Sequence, residues 1–94
     1  MGLKINYKNV SNKEEAFVKV KSLITPEYIQ KFQVKADVVC DEVKKVVTAS
    51  GSGFTLKLNL NDTFCEVDLE LSFLLRALKS KILEKIENQI SKNL

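Results

Sequence analysis

Three carboxylates at every second position are the most chemically suggestive feature of the sequence. Glu66, Asp68 and Glu70 alternate with apolar residues, so a strand would carry all three on one face, about 7 Å apart. Two such carboxylates could bridge a hard cation or act as a general acid and a general base. However, the face would be flat and crossed by Lys57, whereas active sites are normally concave. We therefore interpret these residues as a solvated strand face and predict no metal site.

Histidine is absent from the sequence, which removes the commonest general base and the usual partner of a nucleophilic serine or cysteine. Cys40 and Cys65 alone cannot complete a structural zinc site, which takes four ligands. Both occupy apolar positions of predicted strands, where a free thiol behaves as a small hydrophobic side chain. A disulfide between them and a reactive thiol are the alternatives. We predict that the protein is not an enzyme and uses no cofactor.

Charge is segregated along the chain. The net charge of +3 divides into +3 over residues 1–32, −3 over residues 33–71 and +3 over residues 72–94. If the basic parts are largely helical and the middle is a sheet, one layer is basic and the other is acidic. This asymmetry bears on partners rather than on fold. Solvated faces that merely differ in charge are the alternative explanation.

Alternating apolar and polar residues predict five strands. A short edge strand covers Leu3 to Lys8, and a second strand follows Val34 to Cys40. A turn at Asp41-Glu42 leads to a third strand from Val43 to Ala49, and a turn at residues 51–53 leads to the fourth. The fourth and fifth strands cover residues 56–61 and 65–71. A two-residue turn at residues 62–63 between them places Leu58 opposite Val67 and Lys57 opposite Asp68.

Two helical regions flank these strands. Ser11 and Glu14 have the spacing of a capping box, which predicts a helix from about residue 12 to residue 32. Pro26 predicts a kink or break just before it, with Thr25 as the N-cap of a second helical piece. Ser72 is predicted to cap a closing helix from residue 73 to about residue 92, whose inward stripe repeats every four residues: Leu74, Leu78, Ile82, Ile86 and Ile90.

The 94 residues suit a single domain, and the predicted element order is β-α-β-β-β-β-α. Because the apolar positions of every strand lie on one face, the two helices should share that face. The fold class is therefore α+β, a two-layer sandwich of an antiparallel sheet of four to five strands under two helices. The other face of the sheet would be open to water.

The stretch FCEVDLELSFLL at residues 64–75, which runs on into RALKSKI at residues 76–82, resembles the C-terminal signature of the polyhydroxyalkanoic acid system proteins. These small bacterial proteins have about this length, an N-terminal helix, a strand meander and a closing amphipathic helix. The family is named for genes that lie near polyhydroxyalkanoate synthesis functions. The resemblance implies no catalytic or cofactor residue, because the molecular activity of the family is not defined.

Our main hypothesis is a non-enzymatic accessory or interaction module that acts at a granule surface or as a homo-oligomeric adaptor. An amphipathic helix with a basic face can lie on an apolar or anionic surface. The basic residues outside the apolar stripe are Arg76, Lys79, Lys81 and Lys85. The surplus apolar residues that could contact another subunit are Phe73, Leu74 and Leu75. The alternative for the stripe itself is that it simply covers the sheet.

Two other functions stay open. The basic helices could bind nucleic acid nonspecifically, although the outward strand positions are acidic and lack the aromatic residues on which bases stack. A cavity between sheet and helices could carry a small ligand, which would leave no mark in the sequence. No apolar run approaches the roughly 18 residues that span a bilayer, and no signal peptide is recognised. We therefore expect a cytoplasmic protein with no transmembrane segment.

Overall fold

A five-stranded antiparallel sheet forms one layer of the protein. The computed structural model describes residues 3–31, 35–51 and 53–94. In chain order the strands are β1 (Leu3–Asn6), β2 (Ala36–Asp41), β3 (Val46–Gly51), β4 (Phe54–Leu60) and β5 (Phe64–Leu71). They lie side by side in the order β1-β5-β4-β3-β2, so the first strand of the chain pairs with the last. The predicted α+β class and element order are confirmed.

The helices pack against one face of this sheet. They are α1 (Lys13–Leu23), α2 (Pro26–Gln30) and α3 (Lys79–Ser91), and a 3₁₀ segment (Phe73–Leu78) leads into α3. Helix α1 lies over β3 and β4, α3 lies over β1 and β5, and the two helices touch each other. Along β4 and β5 the inward side chains are buried while Lys57 and Glu66 on the other face are exposed. One face of the sheet is therefore core and the other is open, as predicted.

The β4–β5 hairpin has the predicted register. Leu58 lies opposite Val67, and Lys57 lies opposite Asp68. A register slipped by one residue would bury Lys57 and expose the leucines, so hydrophobic burial specifies this pairing strongly. The inward row continues across the sheet, because Leu3 of β1 pairs with Val67.

The first helix is capped one residue later than predicted. The Asn12 Oδ1 atom accepts a hydrogen bond from the Glu15 amide at 2.9 Å, and the Ser11 amide donates to Glu15 Oε2 at 3.2 Å. The predicted box of Ser11 and Glu14 is therefore wrong. Asparagine caps a helix as well as serine does, and Glu15 has the same three-residue spacing from Asn12.

The predicted break before Pro26 is confirmed. Helix α1 ends at Leu23, and Thr25 Oγ1 accepts a hydrogen bond from the Tyr28 amide at 3.2 Å at the start of α2. Pro26 is the first residue of α2, where its missing amide hydrogen costs nothing. Phe32, Gln33 and Val34, which the sequence assigned to the end of the helix and the start of β2, lie outside the described residues.

The turn between β2 and β3 is longer than predicted. Asp41 Oδ1 accepts hydrogen bonds from the amides of Val43 and Lys44, both at 3.0 Å. Lys45 has a φ of 55°, and β3 begins only at Val46. The prediction of a strand from Val43 is wrong because this side-chain bonding holds the backbone in a turn despite the β-branched residues. Val43 is left 93% exposed at the tip.

The closing helix begins as a 3₁₀ turn rather than as an α-helix. Ser72 makes no side-chain capping bond, so its predicted role is wrong. Instead the Ser72 amide donates to the Gly53 carbonyl at 2.8 Å, and the Leu75 amide donates to the Ser72 carbonyl at 2.9 Å. With about three residues per turn, this segment rotates Leu78 out of the stripe predicted for an α-helix. Leu78 is 42% exposed, whereas Ile82, further along the stripe, is buried.

The end of α3 is tied to the loop that follows β1. The main-chain carbonyl of Leu94 accepts hydrogen bonds from the amides of Lys8, Asn9 and Val10. The Leu94 side chain is fully buried in the core. These contacts hold α3 across the edge of the sheet formed by β1.

Candidate interaction surface

The apolar residues predicted to contact another subunit lie in the 3₁₀ segment. Phe73 is 84% exposed, which is exceptional for an aromatic side chain. Leu75 is half-buried beside Gly53, so it is largely part of the fold. The Leu74 side chain lies outside the described part of the structure. Leu78, which the sequence assigned to the core stripe, is a further exposed apolar residue of this segment.

The four predicted basic residues form two groups rather than one face. Phe73 and Arg76 are three residues apart in a 3₁₀ helix, so their side chains lie one above the other, and Lys79 follows at the same interval. Lys81 points about 160° away from Lys79 around α3. We call Phe73, Arg76 and Lys79 the Phe73 row.

The second group lies on another side of the closing helix. Lys81 and Lys85 are separated by one turn of α3, and both are exposed. Leu78 precedes Lys81 by three residues, so the three side chains share one side of the helix. We call Leu78, Lys81 and Lys85 the Leu78 face. Each group thus combines one exposed apolar side chain with two cations.

A cavity of about 510 Å³ adjoins the Phe73 row. Its lining residues are Leu69, Glu70, Leu71, Arg76 and Lys79. Arg76 and Lys79 come from the closing helical region, and the other three are consecutive residues of β5. Two cations therefore face one carboxylate across this space.

The open face of the sheet carries the opposite charge. Glu66, Asp68 and Glu70 are exposed there, as predicted. Lys57 lies opposite Asp68 on this face, and Lys4 lies opposite Glu66. Among residues 3–31, 35–51 and 53–94, no three Cys, Asp or Glu side chains are grouped so that they could hold a metal ion.

One aromatic residue does lie on the open face, contrary to the sequence-based prediction. Phe64 has the same strand parity as Glu66, and it is half-buried. The Lys4 Nζ atom lies 4.3 Å from the centre of its ring, which is a cation–π contact. The prediction was wrong because Phe64 was not counted with the outward positions of β5.

The two cysteines are free thiols. Three strand spacings separate β2 from β5, which places Cys40 and Cys65 about 14 Å apart across the sheet, beyond the reach of a disulfide. Burial, assisted by the nearby Glu66 carboxylate, raises the pKa of the Cys65 thiol to about 12. Cys65 is therefore protonated at neutral pH and packs as a small apolar side chain, as predicted.

The Tyr7 hydroxyl is a buried polar group that the sequence did not single out. It lies beside the Asn61 backbone without a well-formed hydrogen bond. Burial raises the pKa of this phenol well above its ordinary value, and the nearby Cys65 acts in the same direction. The Tyr7 phenol is therefore protonated and uncharged at neutral pH.

Comparison with known proteins identifies the family. The family described as "Putative polyhydroxyalkanoic acid system protein" matches residues 8–94. The chain belongs to this family. The match covers the stretch from Phe64 to Ile82 on which the resemblance was based, and it extends over α1, α2 and strands β2 to β4, whereas β1 precedes it. Neither the curated proteins nor the solved structures yield a match to this polyhydroxyalkanoic acid system protein.

The described helices of this family member are short or carry many polar residues. Within the described ranges, no helix combines the length and the apolar character needed to cross a membrane. Its exposed apolar side chains at the start of the closing helical region are instead isolated and flanked by cations.

Proposed function

We propose that this polyhydroxyalkanoic acid system protein is a non-enzymatic accessory module that binds the surface of a polyhydroxyalkanoate granule. The observation that carries the proposal is the exposure of Phe73, 84% of whose surface is open to solvent. Transfer of such a side chain from water into an apolar layer is worth about 1.5–3 kcal/mol. Leu78 offers a second, smaller apolar contact.

The charges around these side chains favour an anionic surface. Between Ser72 and Leu83 the chain carries Arg76, Lys79 and Lys81 and no acidic residue. A basic residue close to an anionic lipid surface contributes about 1 kcal/mol. Exposed apolar side chains flanked by cations are the usual composition of a segment that lies in the interface of a membrane or lipid monolayer.

The opposite charge of the open sheet face supports one orientation of the protein on such a surface. The sheet face with Glu66, Asp68 and Glu70 lies on the side away from the helices. An anionic surface would repel this face and attract the helical layer. The module would therefore bind with its helices toward the granule and its sheet toward the surrounding solution.

Self-association through the same residues is less consistent with the charges. A two-fold contact centred on Phe73 would bring Arg76 and Lys79 of both copies together, because such an interface places the same surface on both sides. Like charges in an interface oppose association. The homo-oligomeric adaptor therefore stays a prediction that the following experiment also tests.

Co-sedimentation with isolated granules and with vesicles tests the proposal. Vesicles of mixed phosphatidylcholine and phosphatidylglycerol supply the anionic surface, and pure phosphatidylcholine is the control. We expect Phe73→Ala to weaken binding to both granules and anionic vesicles. The double variant Lys81→Glu/Lys85→Glu should abolish vesicle binding, and binding should fall as salt is added.

A matched variant separates position from net charge. Lys35→Glu/Lys44→Glu makes the same change in net charge at exposed sites just before β2 and on the β2–β3 turn, so it should leave binding close to that of the original protein. Equal binding by all variants would overturn the proposal. A dimer by light scattering that Phe73→Ala converts to monomer, without any granule binding, would favour the adaptor.

A further inference from the structure

Strand β2 forms one edge of the sheet. Its partner β3 lies on one side, and no strand of the described residues lies on the other. β2 is six residues long and contains neither lysine nor proline, the residues that most often prevent such an edge from pairing. The opposite edge strand, β1, has four described residues and carries Lys4. Of the two edges, β2 is therefore the better template for another strand.

The register of the sheet shows which main-chain groups of β2 point away from β3. The Leu60 amide donates to the Lys45 carbonyl at 3.0 Å, so Lys45 and every second residue after it face β4. The residues between them face β2, and one of these, Thr48, pairs with Val39. Because the direction of main-chain groups alternates along a strand, the N–H and C=O groups of three residues of β2 point to the open side. They are Ala36, Val38 and Cys40.

The described chain leaves this side of β2 open. No hydrogen bond within the described residues reaches the three outward-pointing residues from that side. Helix α2 contacts β2 and buries Ile29 in the core, so it lies on the inner face of the sheet. The chain enters β2 in line with the strand, because a Cβ atom added to Gly51 of β3 would overlap the Lys35 carbonyl oxygen. Even the tightest two-residue turn before Lys35 would bring only residues of α2 opposite Val38, and those residues are helical.

We propose that the β2 edges of two copies of this chain pair antiparallel about a two-fold axis through Val38, which joins two five-stranded sheets into one. In this register Val38 lies opposite Val38 of the second copy, and Ala36 lies opposite Cys40 of the second copy. The N–H and C=O groups of these residues then bond each other directly. We call this pairing the β2 contact.

Apolar side chains line the inner side of the β2 contact. Ala36, Val38 and Cys40 are half-buried and pack against the core of their own copy. Because the two-fold axis is perpendicular to the sheet, the inner faces of both copies lie on the same side. Pairing would therefore cover apolar surface that is still exposed in one copy, which favours association.

Charge on the outer face favours the same register. The exposed Lys35 lies opposite Asp41 of the second copy, and the symmetry repeats this pair of opposite charges at the other end of the contact. Asp41 uses Oδ1 to bond the amides of the β2–β3 turn, which leaves Oδ2 for the lysine.

Other registers fit less well. A shift by two residues in either direction would place Asp37 opposite Asp37 or Asp41 of the second copy, where like charges repel. A shift by one residue would oppose residues whose main-chain groups point apart. Larger shifts leave at most half of the strand paired. The edge of β2 is therefore complementary to itself in one register, and its occupant is a second copy of this chain.

The β2 contact goes beyond granule binding and uses none of the residues proposed for it. The Phe73 row and the Leu78 face belong to the closing helical region, and α3 lies over β1 and β5, on the far side of the sheet from β2. Two short strands form a small interface, so we expect weak association. The dilute protein used in the granule assay is then monomeric, and that assay does not depend on this contact.

Sedimentation equilibrium at concentrations from about 10 μM to about 1 mM tests the proposal. We expect the mass to rise from that of a monomer toward that of a dimer. Val38→Pro removes the central N–H group from both copies and should weaken association by about tenfold or more, although an edge strand tolerates proline at such a position. Asn6→Pro is the matched control. The Tyr7 amide donates to β5, so the Asn6 amide points away from it at the opposite edge, and this variant should associate like the original protein.

Hydrogen exchange locates the contact without a substitution. In dilute protein the amides of Val38 and Cys40 should exchange quickly, whereas the Val39 amide, which faces β3, should be protected. In concentrated protein the Val38 and Cys40 amides should become protected as well. This measurement uses the original protein, so it decides the question even if Val38→Pro does not fold.

Ala36→Cys tests the register. The new thiol would lie opposite Cys40 of the second copy with Cα atoms about 5.5 Å apart, which suits a disulfide. Within one chain the same two positions are about 13 Å apart along β2, so they cannot join. Mild oxidation of the concentrated variant with diamide should therefore give a covalent dimer. The original protein is the control, because this register also keeps the Cys40 residues of the two copies more than about 13 Å apart.

Three results would overturn the inference. One is a monomeric mass over the whole concentration range. Another is a dimer that forms without protecting the Val38 and Cys40 amides, and its loss in Phe73→Ala would assign it to the Phe73 row instead. The third is cross-linking of the original protein through Cys40 with none added by Ala36→Cys, which would indicate a different register. None of these results would bear on granule binding, which is measured on dilute protein with other variants.

Discussion

The Asn9 side-chain amide donates a hydrogen bond to the main-chain carbonyl of Lys92 at 3.1 Å, across 83 positions of sequence. Two residues further along, the buried Leu94 receives the amides of the β1–α1 loop on its carbonyl. The end of α3 and the loop after β1 therefore stabilise each other. Loss of either partner should loosen both the closing helix and the edge strand.

Leu94→Ala is the direct test of this arrangement. Because the side chain is fully buried, its truncation should lower the free energy of unfolding by about 2–5 kcal/mol, measured by urea denaturation. Val43→Ala, at a side chain that is 93% exposed, is the control and should change stability by less than about 0.5 kcal/mol. Equal effects of the two variants would contradict the burial of Leu94.

The position of the first helix cap can be tested by two alanine variants. Asn12→Ala removes the acceptor of the Glu15 amide and should cost about 1 kcal/mol of stability. Ser11→Ala leaves that bond intact and should be nearly neutral. A larger loss at Ser11 than at Asn12, measured by thermal or urea denaturation, would instead support the cap predicted from the sequence.

Alkaline pH should destabilise the protein through Cys65. The thiol ionises near its ordinary pKa of 9.0 when unfolded, whereas burial raises the pKa to about 12 in the folded protein. The unfolded state therefore loses its proton first, and stability falls as the pH rises between these values. The contribution of one such group is at most about 1.4 kcal/mol per pH unit.

Cys65→Val isolates this effect. The variant keeps an apolar side chain at the site but removes the titrating thiol, so its stability should fall less steeply above pH 9 than that of the original protein. Tyr7, whose pKa burial also raises, is present in both proteins, but Cys65 adds to that shift. The difference between the two pH profiles therefore reports the Cys65 thiol together with its effect on Tyr7. Identical pH profiles in urea denaturation would show that Cys65 ionises in the folded state at its ordinary pKa.

Gly53 is predicted to resist substitution. Its φ is +74°, and a Cβ atom added there would lie 2.7 Å from the Ser72 hydroxyl oxygen. Gly53→Ala should therefore lower stability by about 1–2 kcal/mol from backbone strain alone. Gly53→Ala in a Ser72→Ala background should recover the part of the loss that comes from the hydroxyl contact. If the double variant is no more stable than expected from additivity, that contact contributes nothing.

The predictable part of the fold is the part in which burial and spacing agree. The β4–β5 register followed from the alternation of leucine with polar residues around Lys57 and Asp68, because a slipped register would bury charge. The length of the turn after Asp41 could not be predicted in this way. The Asp41 Oδ1 atom accepts hydrogen bonds from two amides, and these bonds override the strand preference of Val43. Local hydrogen bonds of this kind can stabilise a turn in a segment whose residue pattern predicts a strand.

The candidate surface was predictable in its residues but not in its geometry. The sequence selected Phe73 and the basic residues, yet it assumed one continuous α-helix. The 3₁₀ turn instead exposes Leu78, and the two-residue spacing of Lys79 and Lys81 places them on different sides of α3.

The pairing of Leu3 with Val67 has a consequence for biosynthesis. A ribosome delivers β1 before the other described strands, but β5, its neighbour in the sheet that these strands form, emerges after three of them. Ile5 therefore stays exposed to water while the β2–β3–β4 meander assembles. Contacts between such distant residues form slowly because of the entropy of closing the intervening loop. The nascent chain therefore carries an unprotected apolar strand until β5 is complete, and this is the stage at which aggregation or chaperone capture is most favoured.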